Sequence, residues 1–159
     1  MPIATTKLGH IVLRVRDLER SKRFYTEVLG LRPTGEIPGV MAFFSTQDNP
    51  DSHDLALMRL GPGAADQPAD AVGLYHFAYQ VDSEEALAKA YLTLREAGVT
   101  IVGTGDHGVS KGIYILDPDG IQIEITYEVP PDQWPPEGIN SRPKPLALGL
   151  SVSSAGPDI

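Results

Sequence analysis

The chain has 159 residues, 42% of them hydrophobic and 21% charged, which is enough for one compact domain, or two small units sharing a core, and too few for several independent domains. Thirteen Lys and Arg against 21 Asp and Glu leave a net charge of −8 and a pI near 4.8; a field of that sign repels phosphate backbones and anionic lipid, which argues against nucleic-acid and membrane-surface roles. There is no Cys, so disulfides, thiolate nucleophiles and Cys-based zinc or iron–sulfur sites are excluded together.

Residues 1–7 lack an apolar stretch of signal-peptide length, and nowhere is there a run of about 18 apolar residues, so the expectation is a cytoplasmic protein. Residues 8–15, rich in aliphatic and β-branched side chains, read as a strand. Asp17 is a good N-cap for a helix carrying Leu18, Ser21, Tyr25, Val28 and Leu29 on one face, and Gly30 stands where a glycine would end it. Residues 41–45 and 54–60 read as strands on either side of the turn-rich segment 47–52.

The Gly-, Pro- and Asp-rich stretch 61–73 reads as a linker, after which the pattern returns. Residues 74–81 form the next expected strand. Asp82, with Glu85 three residues on, suggests a capping box for a helix bearing Leu87, Tyr91 and Leu94, which Gly98 ends. Strands are expected at 100–102, 112–116 and 121–128. Laid over each other, His10 matches His76, Gly30 matches Gly98, and strand 54–60 matches 121–127. The chain is thus expected to be α+β, with two tandem βαβββ modules (7–60 and 74–128) whose mixed sheets cup a shared concave face. From Val129 the character changes, since seven of the 14 prolines fall in the last 31 residues. This tail, 129–159, is expected to dock on its own domain or on a partner subunit, with Trp134 as anchor.

The four histidines are His10, His53, His76 and His107. His10 and His76 are placed mid-strand in apolar surroundings, at the same point of the two modules. A lone His there is more often a hydrogen-bonded core residue than a ligand. Two at equivalent places would point into one space, and two imidazoles with one carboxylate suit non-haem Fe(II). The candidate carboxylate is Glu124. An ionised Glu within an apolar strand is costly unless paired or bound to a cation; alternatively it faces solvent alongside Gln122 and Thr126.

Residues 105–124, with His107, the pair Ile113-Tyr114, the turn Asp117-Pro118-Asp119-Gly120 and Glu124, resemble the signature of type I extradiol ring-cleaving dioxygenases. These belong to the vicinal oxygen chelate superfamily, together with glyoxalase I, fosfomycin-resistance thiol transferases and bleomycin-binding proteins. The resemblance covers roughly residues 7–128. It implies that His10, His76 and Glu124 ligate Fe(II), with Mn(II) as the alternative ion. It further implies that His53 is an acid/base and that His107 and Tyr114 contact substrate oxygens. The implied activity is extradiol cleavage of a catechol-type diol by O₂, in a homo-oligomer of two or more subunits. The alternatives are another metal-dependent enzyme of the superfamily, a thiol transferase, lyase or epimerase, and a non-enzymatic binding protein of the bleomycin-resistance type.

Glyoxalase-type members draw a fourth ligand from the last strand of the first module. Residues 55–60 offer no carboxylate or His, which disfavours that reading. Tyr114 and Glu124 share a face only if the connection between their strands is odd in length, as 117–121 is; a four-residue turn would put them on opposite faces. The pocket is expected to be lined by strand residues such as Leu13, Phe44, Leu57, Phe77 and Ala78.

Overall fold

A computed structural model describes residues 2–68, 70–136, 138 and 144–148; the rest of the expected tail lies outside the described residues. The chain divides into two units, Met1–Val72 with Asp117–Gly120, and Gly73–Leu116 with Ile121–Ile159. The described elements are α+β, two four-stranded mixed sheets with a few helices.

In the first unit, β1 (Ile11–Val15), β2 (Arg32–Ile37), β3 (Met41–Ser45) and β4 (Leu55–Arg59) order as β1-β4-β3-β2, with β1 parallel to β4 and the other pairs antiparallel. Between β1 and β2 runs α1 (Leu18–Arg23), continued by a π-helical turn, Phe24–Val28. Asp17 caps α1 by accepting from the Arg20 amide at 3.0 Å, and Gly30 closes the segment at φ +71°. The core lies between helix and sheet. Leu13, Val15, Leu55, Leu57, Ala42 and Phe44 are buried there with Leu18 and Tyr25, and α1 packs on β3 and β4. The Tyr25 hydroxyl donates to Asp117 at 3.0 Å. Strand β2 has no counterpart among the strands read from sequence. Its Pro33 and Gly35 flank a bulge, tolerated because β2 is an edge strand.

In the second unit, β5 (Phe77–Gln80), β6 (Ile101–Asp106), β7 (Ser110–Leu116) and β8 (Gln122–Glu128) repeat the topology as β5-β8-β7-β6, with α2 (Glu84–Glu96) on β7 and β8. The core here is Leu87 and Leu94 of α2 over Ile113, Ile115, Ile123 and Ile125. The cap of α2 is Ser83, whose side chain accepts from the Ala86 amide at 3.1 Å. Asp82 is therefore not the cap, and the expected box with Glu85 does not form. Beyond β8, Trp134 donates from Nε1 to the Val129 carbonyl at 2.6 Å. Lys144 exchanges two backbone hydrogen bonds with Asp106, and Pro135 lies against Gly108.

The registers correct two further expectations. In the first unit Ile11 sits beside Leu55, and in the second Phe77 sits beside Ile123. Position 124 therefore corresponds to Ala56; laying strand 54–60 on 121–127 would have matched it to Leu57. Leu13, Phe44 and Leu57 face the helix of their unit, as does Phe77, so of the five expected pocket residues only Ala78 lies on the face away from the helix. That face carries Val12, Ala56, Met58, Met41 and Phe43 in the first unit. In the second it carries Ala78, Gly112, Tyr114, Glu124 and Thr126.

Candidate metal and diol site

His10 and His76 are not mid-strand. Each immediately precedes the first residue of β1 or β5, where a side chain leaves the end of a sheet without interrupting its ladder. In the first unit the His10 and His53 rings lie 4.6 Å apart, and the edge of Phe43 meets His53 at 5.2 Å. His53 Nδ1 is 3.0 Å from the Ser52 hydroxyl, which anchors the ring in the loop before β4.

In the second unit His76 and Glu124 meet, with Nε2 and Oε2 3.3 Å apart. Two donors each about 2.1 Å from a common ion, at roughly a right angle, stand about 3 Å apart, so this spacing fits a shared divalent cation. One further feature agrees with that fit. Glu124 is buried, which is costly for a carboxylate without a compensating charge or donor. Within neither unit do three or more His, Asp or Glu of the described residues gather closely enough to hold an ion. The second unit therefore offers a pair of donors.

The connection from β7 to β8 is 117–121, and Tyr114 pairs directly with Glu124. The odd length puts both side chains on one face. The Tyr114 hydroxyl lies 3.0 Å from His107 Nε2, and the Tyr114 and His76 rings meet edge to face at 5.5 Å. Burial pushes the phenol pKa up to about 12, with help from the charge of Glu124 and a hydrogen bond to it. Tyr114 is thus a neutral phenol at ordinary pH. Its hydroxyl can donate one proton and accept others, and His107 Nε2 stands within hydrogen-bond distance of it.

The loop bearing His107 is braced on both sides. Gly108 donates to the Asp106 carboxylate at 2.8 Å, the His107 amide donates to the Ser110 carbonyl at 2.8 Å, and Asp106 is tied to Lys144. Two contributors escape a search for ionisable groups. One is the tail segment that holds this loop. The other is Gly112, where a Cβ would stand 2.2 Å from Glu124 Oε1. A glycine inside the strand 110–116 was the available signal, since it marks a close approach.

The family model for the glyoxalase/bleomycin resistance protein/dioxygenase superfamily matches residues 7–125. The chain belongs to that superfamily. Among the superfamily's curated members, it is 35% identical over 130 residues to a catechol-2,3-dioxygenase of Bacillus subtilis, covering 81% of this chain and 44% of the relative. It is 33% identical over 122 residues to a biphenyl-2,3-diol 1,2-dioxygenase of Rhodococcus globerulus, covering 76% of this chain and 63% of the relative. The chain thus spans about half to two thirds of the length of these relatives. A lactoylglutathione lyase of Escherichia coli is 31% identical over 140 residues, covering 77% of this chain and 93% of the lyase. Among solved structures of the superfamily, a domain from Frankia sp. EAN1pec superposes with a TM-score of 0.69 at 23% identity, covering 79% of this chain and 100% of that one.

Proposed function

We propose that the chain is an extradiol dioxygenase that opens a catechol-type aromatic ring beside its diol, with Fe(II) held by His10, His76 and Glu124. The observation that carries this reading is the placement of Tyr114 opposite Glu124, with His107 at its hydroxyl. An acid, a phenol and an imidazole on one face suit a substrate that presents two adjacent hydroxyls. The similarity to the two diol dioxygenases supports the same reading.

His76 and Glu124 form the preassembled part of the ligand set, and His10 supplies the third donor. An ion held by these three residues would keep room in its coordination sphere for substrate oxygens and O₂. The bound ion supplies Lewis acidity toward the diol and a path for electrons between ring and O₂. The Tyr114 hydroxyl hydrogen-bonds a diol oxygen and orients it. His107 Nε2 holds the phenol in place and offers a proton at the same edge. His53, beside His10, is the acid/base that receives and returns a proton. Both atoms of O₂ end in the product, so the net reaction needs no external reductant.

A lyase is the second reading, favoured by the E. coli relative, nearly all of which the match covers. The fourth donor of such a site would fall at the position matching Glu124, which is Ala56. The test is to load the protein with Fe(II) without air, add a catechol, and admit O₂. A yellow ring-opened product is expected. No yellow product, together with lyase turnover on a divalent ion, would overturn the assignment.

A further inference from the structure

The two sheets solve the same packing problem in opposite ways at the position diagonal to residue 124. In the first unit the small Ala56 has Met41 beside it, two residues before its partner Phe43; in the second the long Glu124 has Gly112 there, two residues before its partner Tyr114. Large beside small becomes absent beside large.

The space at Gly112 is filled by Glu124 itself. A Cβ built there would stand 2.2 Å from Oε1, 3.1 Å from Cδ and 3.2 Å from Cγ of Glu124. The first distance is far inside van der Waals contact, and the other two are tight. Gly112 pairs with Thr126 in an unbroken stretch of the β7–β8 ladder, and its φ is not positive. Its missing side chain is therefore not a backbone requirement. What an added methyl displaces is the end of a flexible side chain.

We infer that Gly112 positions Glu124: the bare backbone of β7 lets the carboxylate fold back beside His76, and any side chain there swings it out of reach. Gly112 touches no reacting atom, so it is a positioning residue. The effect on ion affinity rests on the proposed Fe(II) site, whereas the effect on the carboxylate does not. Gly103 is the internal control, because it lies on the same face and a Cβ there meets Tyr114 Cδ2 at an ordinary 3.9 Å.

The test compares wild type, Gly112→Ala and Gly103→Ala as ion-free proteins, by the NMR resonances of the His76 ring and by thermal unfolding. Each is then titrated with Mn(II) alone. In Gly112→Ala the His76 resonances move and Mn(II) affinity falls about 10–100-fold, the scale expected when a ligand's support is lost. Gly103→Ala leaves both unchanged. Unmoved His76 resonances in Gly112→Ala overturn the inference. Moved resonances in a protein whose wild type takes up no Mn(II) uphold the positioning and overturn the metal reading alone. Should Gly112→Ala unfold, adding Glu124→Asp, one methylene shorter, restores the fold; failure to restore it overturns the inference.

Discussion

The two sheets have matching strand orders and matching registers, yet their faces away from the helix differ in kind. Ala56 sits beside Val12 and opposite Phe43, while Glu124 sits beside Ala78 and opposite Tyr114. Met58 and Met41 in the first unit become Thr126 and Gly112 in the second. The helix-facing sides show no such divergence: Leu55 and Leu57 correspond to Ile123 and Ile125, all buried. A shared backbone plan thus dictates which positions are core, and leaves the opposite face free to be apolar around position 56 in one copy and acid-bearing at position 124 in the other. The histidine ahead of the first strand is kept in both, as His10 and His76, and so is a glycine of the edge strand, as Gly35 and Gly103.

The sharpest way to break this asymmetry is to make the first unit resemble the second. Ala56 is fully buried, so Ala56→Glu forces a carboxylate into a place that holds only a methyl group. Uncompensated burial of a charge costs several kcal/mol. The expected result is a loss of that order in denaturant unfolding of the ion-free protein, partly recovered on adding a divalent ion. Unchanged stability would mean that position 56 is not the buried twin of position 124.

A smaller effect follows from erasing the difference in the other direction. Tyr114→Phe gives the second unit the ring that the first has at Phe43. On the proposed reading, ring-cleavage turnover is expected to fall about 10–100-fold, the range for loss of a group that supports a metal site from outside, with KM changed less than kcat. The ion-free protein offers a check by pH. The phenol's folded pKa, about 12, lies above its usual value. The folded state therefore holds the proton longer than the unfolded chain. The stability associated with that proton is fully present below about pH 10 and is lost as pH rises toward 12. Tyr114→Phe removes that dependence, and an identical decline in both proteins would sink the assignment.

Much of this contrast could be read from residue spacing. Gly30 and Gly98, each just beyond a helical segment, mark the duplication, and both adopt positive φ. Spacing left two connections between the strands of Tyr114 and Glu124, of five residues or of four, and the observed register is the five-residue one that puts both on one face. Parity could also have corrected the pocket, because His10 and Leu13 are an odd number of residues apart and must point to opposite sides of β1. Other features were not legible. Strand β2 hides behind Pro33 and Gly35, whose local preferences oppose a strand and are overruled by pairing with β3. The π-helical turn at Phe24–Val28 has no periodic signature of its own. The side-chain conformation that makes Gly112 necessary is a three-dimensional fact that no single-residue preference encodes.

The smallest predicted effect concerns the helix starts, where local chemistry offered two answers in the second unit and one in the first. Ahead of α1 only Asp17 stands at the cap. Ahead of α2, Asp82 and Ser83 are adjacent and both residue types cap well. Position alone separates them. A capping side chain accepts from the amide two or three residues on. From Ser83 that reaches Ala86 inside the first turn, whereas from Asp82 it would reach Glu84 or Glu85, one residue early. Ser83→Ala should therefore cost about 1 kcal/mol in thermal or denaturant unfolding, the usual value of a lost cap. Asp82→Ala should stay within about 0.5 kcal/mol, as exposed substitutions without a partner do. The reverse order would move the start of α2 back by one residue and leave Leu87 and Leu94 facing the buried isoleucines as before.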